Sequence, residues 1–144
     1  MAITTNAIAN SFKKELLEGK HNFSNSSGSV FKLAMYTSAA TLGKSTTSYT
    51  TGSQVTSPAG YTAGGKALVN TGTSVSSSVA ITDFSDLSFT NVTLTARGAL
   101  IYNTSNSNSA VAVLDFGSDK TATAGTFTIQ FPAYTTSAAI LRIS

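Results

Sequence analysis

Beyond residue 30 the chain alternates between apolar and polar positions. TFTIQF (126–131) sets Phe127, Ile129 and Phe131 on one side and Thr126, Thr128 and Gln130 on the other, the period-two signature of a half-buried strand. LSFT (87–90) and VTLTA (92–96) repeat the pattern, with Leu87/Phe89 and Val92/Leu94 opposite hydroxyls, and VFKLAMY (30–36) alternates Phe31, Leu33 and Met35. GALIYN (98–103) and AVAVLDF (110–116) are more continuously apolar, as strands covered on both faces tend to be. Pro132 closes the strand before it, and AAILRIS (138–144) supplies a last one. NTSNSNS (103–109) and GSDKTATAG (117–125) read as hairpin connections. Residues 37–80 read as long Ser/Thr/Gly loops with short strands near 66–69 and 74–81. The pattern predicts a mainly β fold, an antiparallel β-sandwich or jelly roll with one N-terminal α-helix.

That helix is predicted over 5–18, TNAIANSFKKELLE. Ile8, Phe12 and Leu16 recur at i, i+4, i+8, while Lys13, Lys14 and Glu18 lie off the stripe. Thr4, Thr5 or Asn6 can cap its start, and Gly19 stands where a left-handed C-terminal cap belongs. HNFSNSSGS (21–29) follows as a polar linker. The chain thus divides into a helix and linker (1–29) and a β-sandwich domain (30–144). A short isolated helix is marginal in water, so the stripe needs a surface to lie on. Ile8, Phe12 and Leu16 are therefore read as a docking stripe for a sister subunit or larger assembly. The alternative is that the helix folds back over its own sandwich.

Composition narrows the function. The 144 residues suit one domain, 41% are hydrophobic, and only 10% are charged, against roughly 25% in an average soluble protein. Polarity comes from serine and threonine instead. The net charge of +3 is scattered along the chain, which is no footprint for nucleic acid, where clustered basic groups must neutralise several phosphates. Without cysteine there is no disulfide framework or thiolate metal site. The N-terminus lacks the pattern of a secretory signal, and no apolar run approaches the roughly 18 residues of a membrane span. The expectation is a chain made and folded in a cytosol, without a membrane partner.

Chemical motifs are weak. GYTAGGKA (60–67) matches a phosphate loop at Gly60, Gly65 and Lys66, but Ala67 stands where the Mg²⁺-binding hydroxyl belongs and neither a buried strand nor a helix flanks it; it reads as a turn. DFGS (115–118) resembles a kinase triplet without its companion segments, and Asp115 and Gly117 read as closing a strand into a turn. His21, the lone histidine, reads as solvated. Ser11 and Lys14 match S-x-x-K on an exposed helix face without companion motifs. Asp83 with Asp86, or Asp115 with Asp119, offers too few carboxylates for a dedicated Ca²⁺ site. Tyr36, Tyr49, Tyr61, Tyr102 and Tyr134 read as packing or interface residues rather than a sugar-stacking platform. The sequons at Asn22, Asn25, Asn91 and Asn103 carry little weight without a secretion signal. No catalytic, cofactor or metal-ligating residues are assigned.

FKLAMYTSAATLGKSTTSYTT, GYTAGGKAL, FTNVTLTARGALIYN and AVAVLDFGSDKTATAGTFTIQFPA together resemble small β-rich virion proteins of tailed bacteriophages, over about residues 8–135. Capsid cement or decoration proteins with jelly-roll folds are the nearest match. The resemblance implies a structural protein that binds and stabilises the head lattice. Its partners would be the major capsid protein or other virion proteins, it would act as a homo-oligomer, and it would reside in the virion after assembly in the host cytoplasm. It carries no ligand-binding residues. A tail, baseplate or fibre-adaptor protein is the alternative within that class, and a carbohydrate-binding module contacting the host surface is the alternative outside it.

Overall fold

The computed structural model describes residues 3–144. In chain order the elements are β1 (Ala7–Ile8), α1 (Asn10–Leu17), β2 (Phe31–Tyr36), β3 (Lys66–Ala67), β4 (Asn70–Ser76), β5 (Val79–Phe84), β6 (Leu87–Asn103), β7 (Ser109–Ile129) and β8 (Leu141–Ile143). All pairings are antiparallel. One sheet has five strands in the order β1-β7-β6-β2-β3, and a second has three in the order β4-β5-β8. The mainly β architecture with one short N-terminal helix is that of the expected antiparallel sandwich.

Two strands run longer than their hydrophobic patterns indicate. β6 spans 17 residues and absorbs three predicted strands. β7 spans 21 and includes GSDKTATAG, the predicted connection. No reversal occurs there, because 120–125 find partners along the extended β6: Thr121 opposite Thr95, Ala122 opposite Leu94, Gly125 opposite Val92. The turn-forming residues make β-bulges instead. Asn91 (φ 49°) lies in a pair of residues opposing one, as does Ala124 (φ 46°), and Gly117 (φ 80°) lies in the segment 116–119 that loops out opposite Arg97.

The 103–109 hairpin is present, with Asn103 paired to Ser109. The strand expected near 74–81 is instead two strands, because Ser77 and Ser78 both take positive φ (50° and 64°) between the paired Ser76 and Val79. That is the geometry of a two-residue primed turn, for which Asn-Gly is the usual signal. Two serines conceal it.

The helix starts later than its periodicity indicates. Ile8 is extended and pairs with Ala112. The Ala9 N–H then donates to the Val111 carbonyl at 2.9 Å and the Asn10 N–H to Lys44 at 2.8 Å. Strand pairing satisfies these backbone groups before helix can. At the other end Gly19 (φ 73°) forms the expected cap: its N–H reaches the Leu16 carbonyl, and that of Lys20 reaches Glu15, a Schellman arrangement.

An aromatic ladder ties the layers together. Phe12 meets His21 at 4.7 Å between ring centroids, Phe23 stacks on Phe31 at 4.6 Å, Phe31 meets Phe84 at 5.5 Å, and Phe84 meets Phe131 at 5.6 Å. α1, the 21–29 segment, β2, β5 and the segment just after β7 therefore share one core.

Candidate functional site

The stripe predicted for docking is used at home. Phe12 is 1% exposed within the core cluster, Ile8 lies half-buried in β1 rather than on the helix, and Leu16 is half-buried against the same cluster. The outward apolar residue of α1 is Leu17, at 92% exposure. Ile3, Ala9, Phe12 and Phe23 share the core with Phe31 and Leu33, so residue 29 marks no boundary in the packing. The fold-back alternative describes this helix.

His21 is likewise buried, contrary to the solvated reading. Its Nε2 lies 2.8 Å from Glu15 Oε2 and its Nδ1 lies 2.9 Å from Asn103 Nδ2. Asn103 Oδ1 accepts from the Ser105 N–H at 2.9 Å, which turns the amide NH₂ toward the ring. Nδ1 is therefore the acceptor, and Nε2–H donates to the carboxylate. Asn106 Nδ2 also donates to Glu15, at 3.3 Å. The acid–His–amide series resembles a catalytic relay in its parts, but both ring nitrogens are occupied, and among the described residues no hydroxyl hydrogen-bonds to the ring. It ties α1 to the β6–β7 hairpin. The sequence signal was slight, since the three residues come from distant segments.

GYTAGGKA is a turn. Gly60, Gly64 and Gly65 all have positive φ, and a Cβ on Gly65 would collide with the Leu33 carbonyl. Lys66 enters β3, its Nζ donating to the Ser88 carbonyl at 2.9 Å and lying 5.6 Å from the Phe89 ring centre. No helix follows to present amides to a phosphate. Four of the five tyrosines fasten the long segment between β2 and β3 that contains this turn, while Tyr134 donates to the Gly72 carbonyl at 3.2 Å. The Tyr102 hydroxyl donates to the Gly64 carbonyl at 2.6 Å, Tyr36 to Thr50 at 2.6 Å and Tyr49 to Gln54 at 2.6 Å, while Tyr61 accepts from the Met35 N–H at 2.8 Å. Burial pushes the Tyr102 phenol up to about 12 and raises those of Tyr36 and Tyr61 as well. All three remain neutral hydroxyls, Tyr36 and Tyr102 donating and Tyr61 accepting.

The aspartates are structural. Asp83 and Asp86 accept from the backbone N–H groups of Phe84 and Phe131. Asp115 pairs with Arg97 at 3.2 Å and accepts from the Gly117 N–H within the bulge rather than closing a turn. Among the described residues no group of three metal-ligating side chains occurs.

What the periodicity does not reveal is a groove of about 810 Å³ along β7. One wall is β1 with the first half of β7, which contributes Ile8, Leu114 and Phe116. The second half of β7 contributes Phe127 and Ile129, Phe131 follows just beyond the strand, and the segment 138–142 closes the far side with Ile140. Phe116 and Phe127 meet across the bulge at 5.9 Å. Lys120, Arg142 and Asp115 are the charged residues lining it. The bulge at 116–119 bends β7 and so makes the concavity. In the sequence pattern Leu114 and Phe116 are ordinary members of a doubly covered strand; in the structure they are half-buried and line the groove.

Two strand edges border this groove. β7 has β6 on one side, but β1 covers its other side only at Ala112 and Val113, and Asn6 Oδ1 caps the Asp115 N–H. β8 is the outermost strand of the small sheet. Comparison with family models, with curated protein sequences and with solved structures gives no match.

Proposed function

We propose that this protein is a structural component of a tailed-phage particle, a capsid cement or decoration protein that binds the assembled head lattice and reinforces it. The observation that carries this reading is the groove bordered by two open strand edges, a surface of the kind that an added chain can cover. Exposed edges are ordinarily blunted or covered, and covering one with a neighbour joins two chains without a catalytic centre. The outer face of β6 and β7 supports the same reading. Ser88, Thr93, Thr95, Thr121 and Thr128 form a hydroxyl surface, linked by Ser88–Thr128 and Thr95–Thr121 hydrogen bonds of 3.0 and 2.8 Å, suited to a neutral particle exterior.

The carbohydrate-binding alternative is weaker, because Tyr36, Tyr61 and Tyr102 are buried in the protein's own loop contacts. Purified protein mixed with particles lacking it should load them to a copy number comparable with the major capsid subunit, read from a stained gel. Loading at a few copies per particle would favour a tail or baseplate position. No loading would overturn the proposal.

A further inference from the structure

We infer that the groove beside β7 takes an extended peptide segment of a partner protein as an added strand, a segment with apolar side chains at alternate positions and an acidic residue among them. This deepens the proposed function and rests on it for the partner's identity as a particle protein. The chemistry comes from the groove itself. An added strand needs a free row of backbone donors and acceptors, which the chain offers at 126–130, past the end of β1 at Val113, the Asn6 cap on the Asp115 N–H and the bulges. It also needs pockets for every second side chain, and the half-buried Leu114, Phe116 and Ile140 supply an apolar floor. The free stretch 126–130 would span about 17 Å as strand, room for several paired residues before the bulge at Ala124 interrupts pairing.

Charge selects the occupant. Lys120 has no ion-pair partner among the described residues, and Arg142 is held only by the Ser137 carbonyl at 2.9 Å. Asp115, the one lining carboxylate, is already neutralised by Arg97. The rim is therefore net cationic and matches an acidic segment. A second copy of this chain fits poorly, since the other edge strands, β1, β3, β4 and β8, contain no acidic residue and two of them carry Lys66 and Arg142.

The test is a fluorescence-anisotropy titration of the full chain, without particles. The probe is a labelled octapeptide of alternating threonine and valine with one central glutamate. It should bind saturably, a lysine in place of the glutamate should weaken binding by about tenfold or more, and N-methylation of every second amide should abolish it in one of the two phases. Lys120→Glu, at an exposed position, should keep the melting temperature and invert the preference between the two peptides. Absence of saturation up to about millimolar peptide, or equal binding of all peptides, overturns the inference. So does sedimentation showing the groove closed by self-association. A chain that takes the peptide but does not load particles supports the groove inference and overturns the proposed function. A chain that loads particles but ignores every peptide does the reverse.

Discussion

The long β6–β7 pair has two halves that obey different rules. Where 100–103 face 109–113, every residue of both segments is buried. Where 87–96 face 120–129, burial alternates: Phe89, Val92, Leu94, Ala122, Phe127 and Ile129 inside, Thr93, Thr95, Thr121 and Thr128 outside. The same two strands thus pass from a covered region to a half-solvated ribbon. Cover makes the difference. Over the first half lie the N-terminal segment, whose Ile3 side chain packs against Gly98, and the loop fastened by Tyr102 to the Gly64 carbonyl. Over the ribbon the hydroxyl face is left exposed by the described residues, and its outer edge opens on the groove. Stability and interaction are therefore allotted to different lengths of one sheet.

The largest expected effect probes the covered half. Phe31→Ala removes a fully buried ring that meets Phe23 and Phe84, and denaturant unfolding should show a loss of about 3–5 kcal/mol. Phe127→Ala, bordering the groove, should fall at or below the lower end of that range, since the site can relax into open space. Equal losses would break the contrast between the halves.

Next comes Gly65→Ala. The left-handed backbone alone costs roughly 1–2 kcal/mol, and the collision with Leu33 adds to it. The melting temperature should drop, whereas Gly117→Ala, at a bulge with open space around it, should lose only the backbone part. A smaller loss at Gly65 than at Gly117 would show that the 60–67 turn moves away from β2.

A smaller, pH-dependent effect belongs to Asp83. Burial, with one carboxylate oxygen unpartnered, raises its pKa. The folded state then holds the proton more tightly than the unfolded chain, so this residue's contribution to stability is greatest at low pH and is lost as pH rises from about 4 through the raised value. Asp83→Asn should therefore raise the melting temperature at pH 7 relative to wild type, with the gap closing near pH 3. A gap that widens on acidification would reverse the assignment.

The smallest effect lies on the ribbon's outer face. Thr128→Ala and Thr95→Ala each remove one exposed hydroxyl–hydroxyl contact and should cost well under about 1 kcal/mol. A loss comparable with Phe127→Ala would mean that the register is wrong.

The amino-acid sequence by itself determined the fold class, the inward set of the ribbon and the helix C-terminal cap. These follow from local rules: alternation on a pleat at Phe127, Ile129 and Phe131, and the freedom of Gly19 to take positive φ. It determined the nature of 60–67 as a turn as well, through the missing hydroxyl at Ala67 and the absence of a following helix. Only tertiary structure decided where strands end and what is covered. Turn-forming residues at 117–125 became bulges because β6 was long enough to pair with them, and Ile8 left the helix because β7 offered its backbone a partner. His21 is buried because Glu15 and Asn103, 6 and 82 residues away in sequence, converge on its two nitrogens. The groove arises in the same way, from the end of β1 at Ala7, the bend in β7 and the return of the C-terminal segment. Each is a meeting of distant segments, and local periodicity carries no information about which distant segments meet.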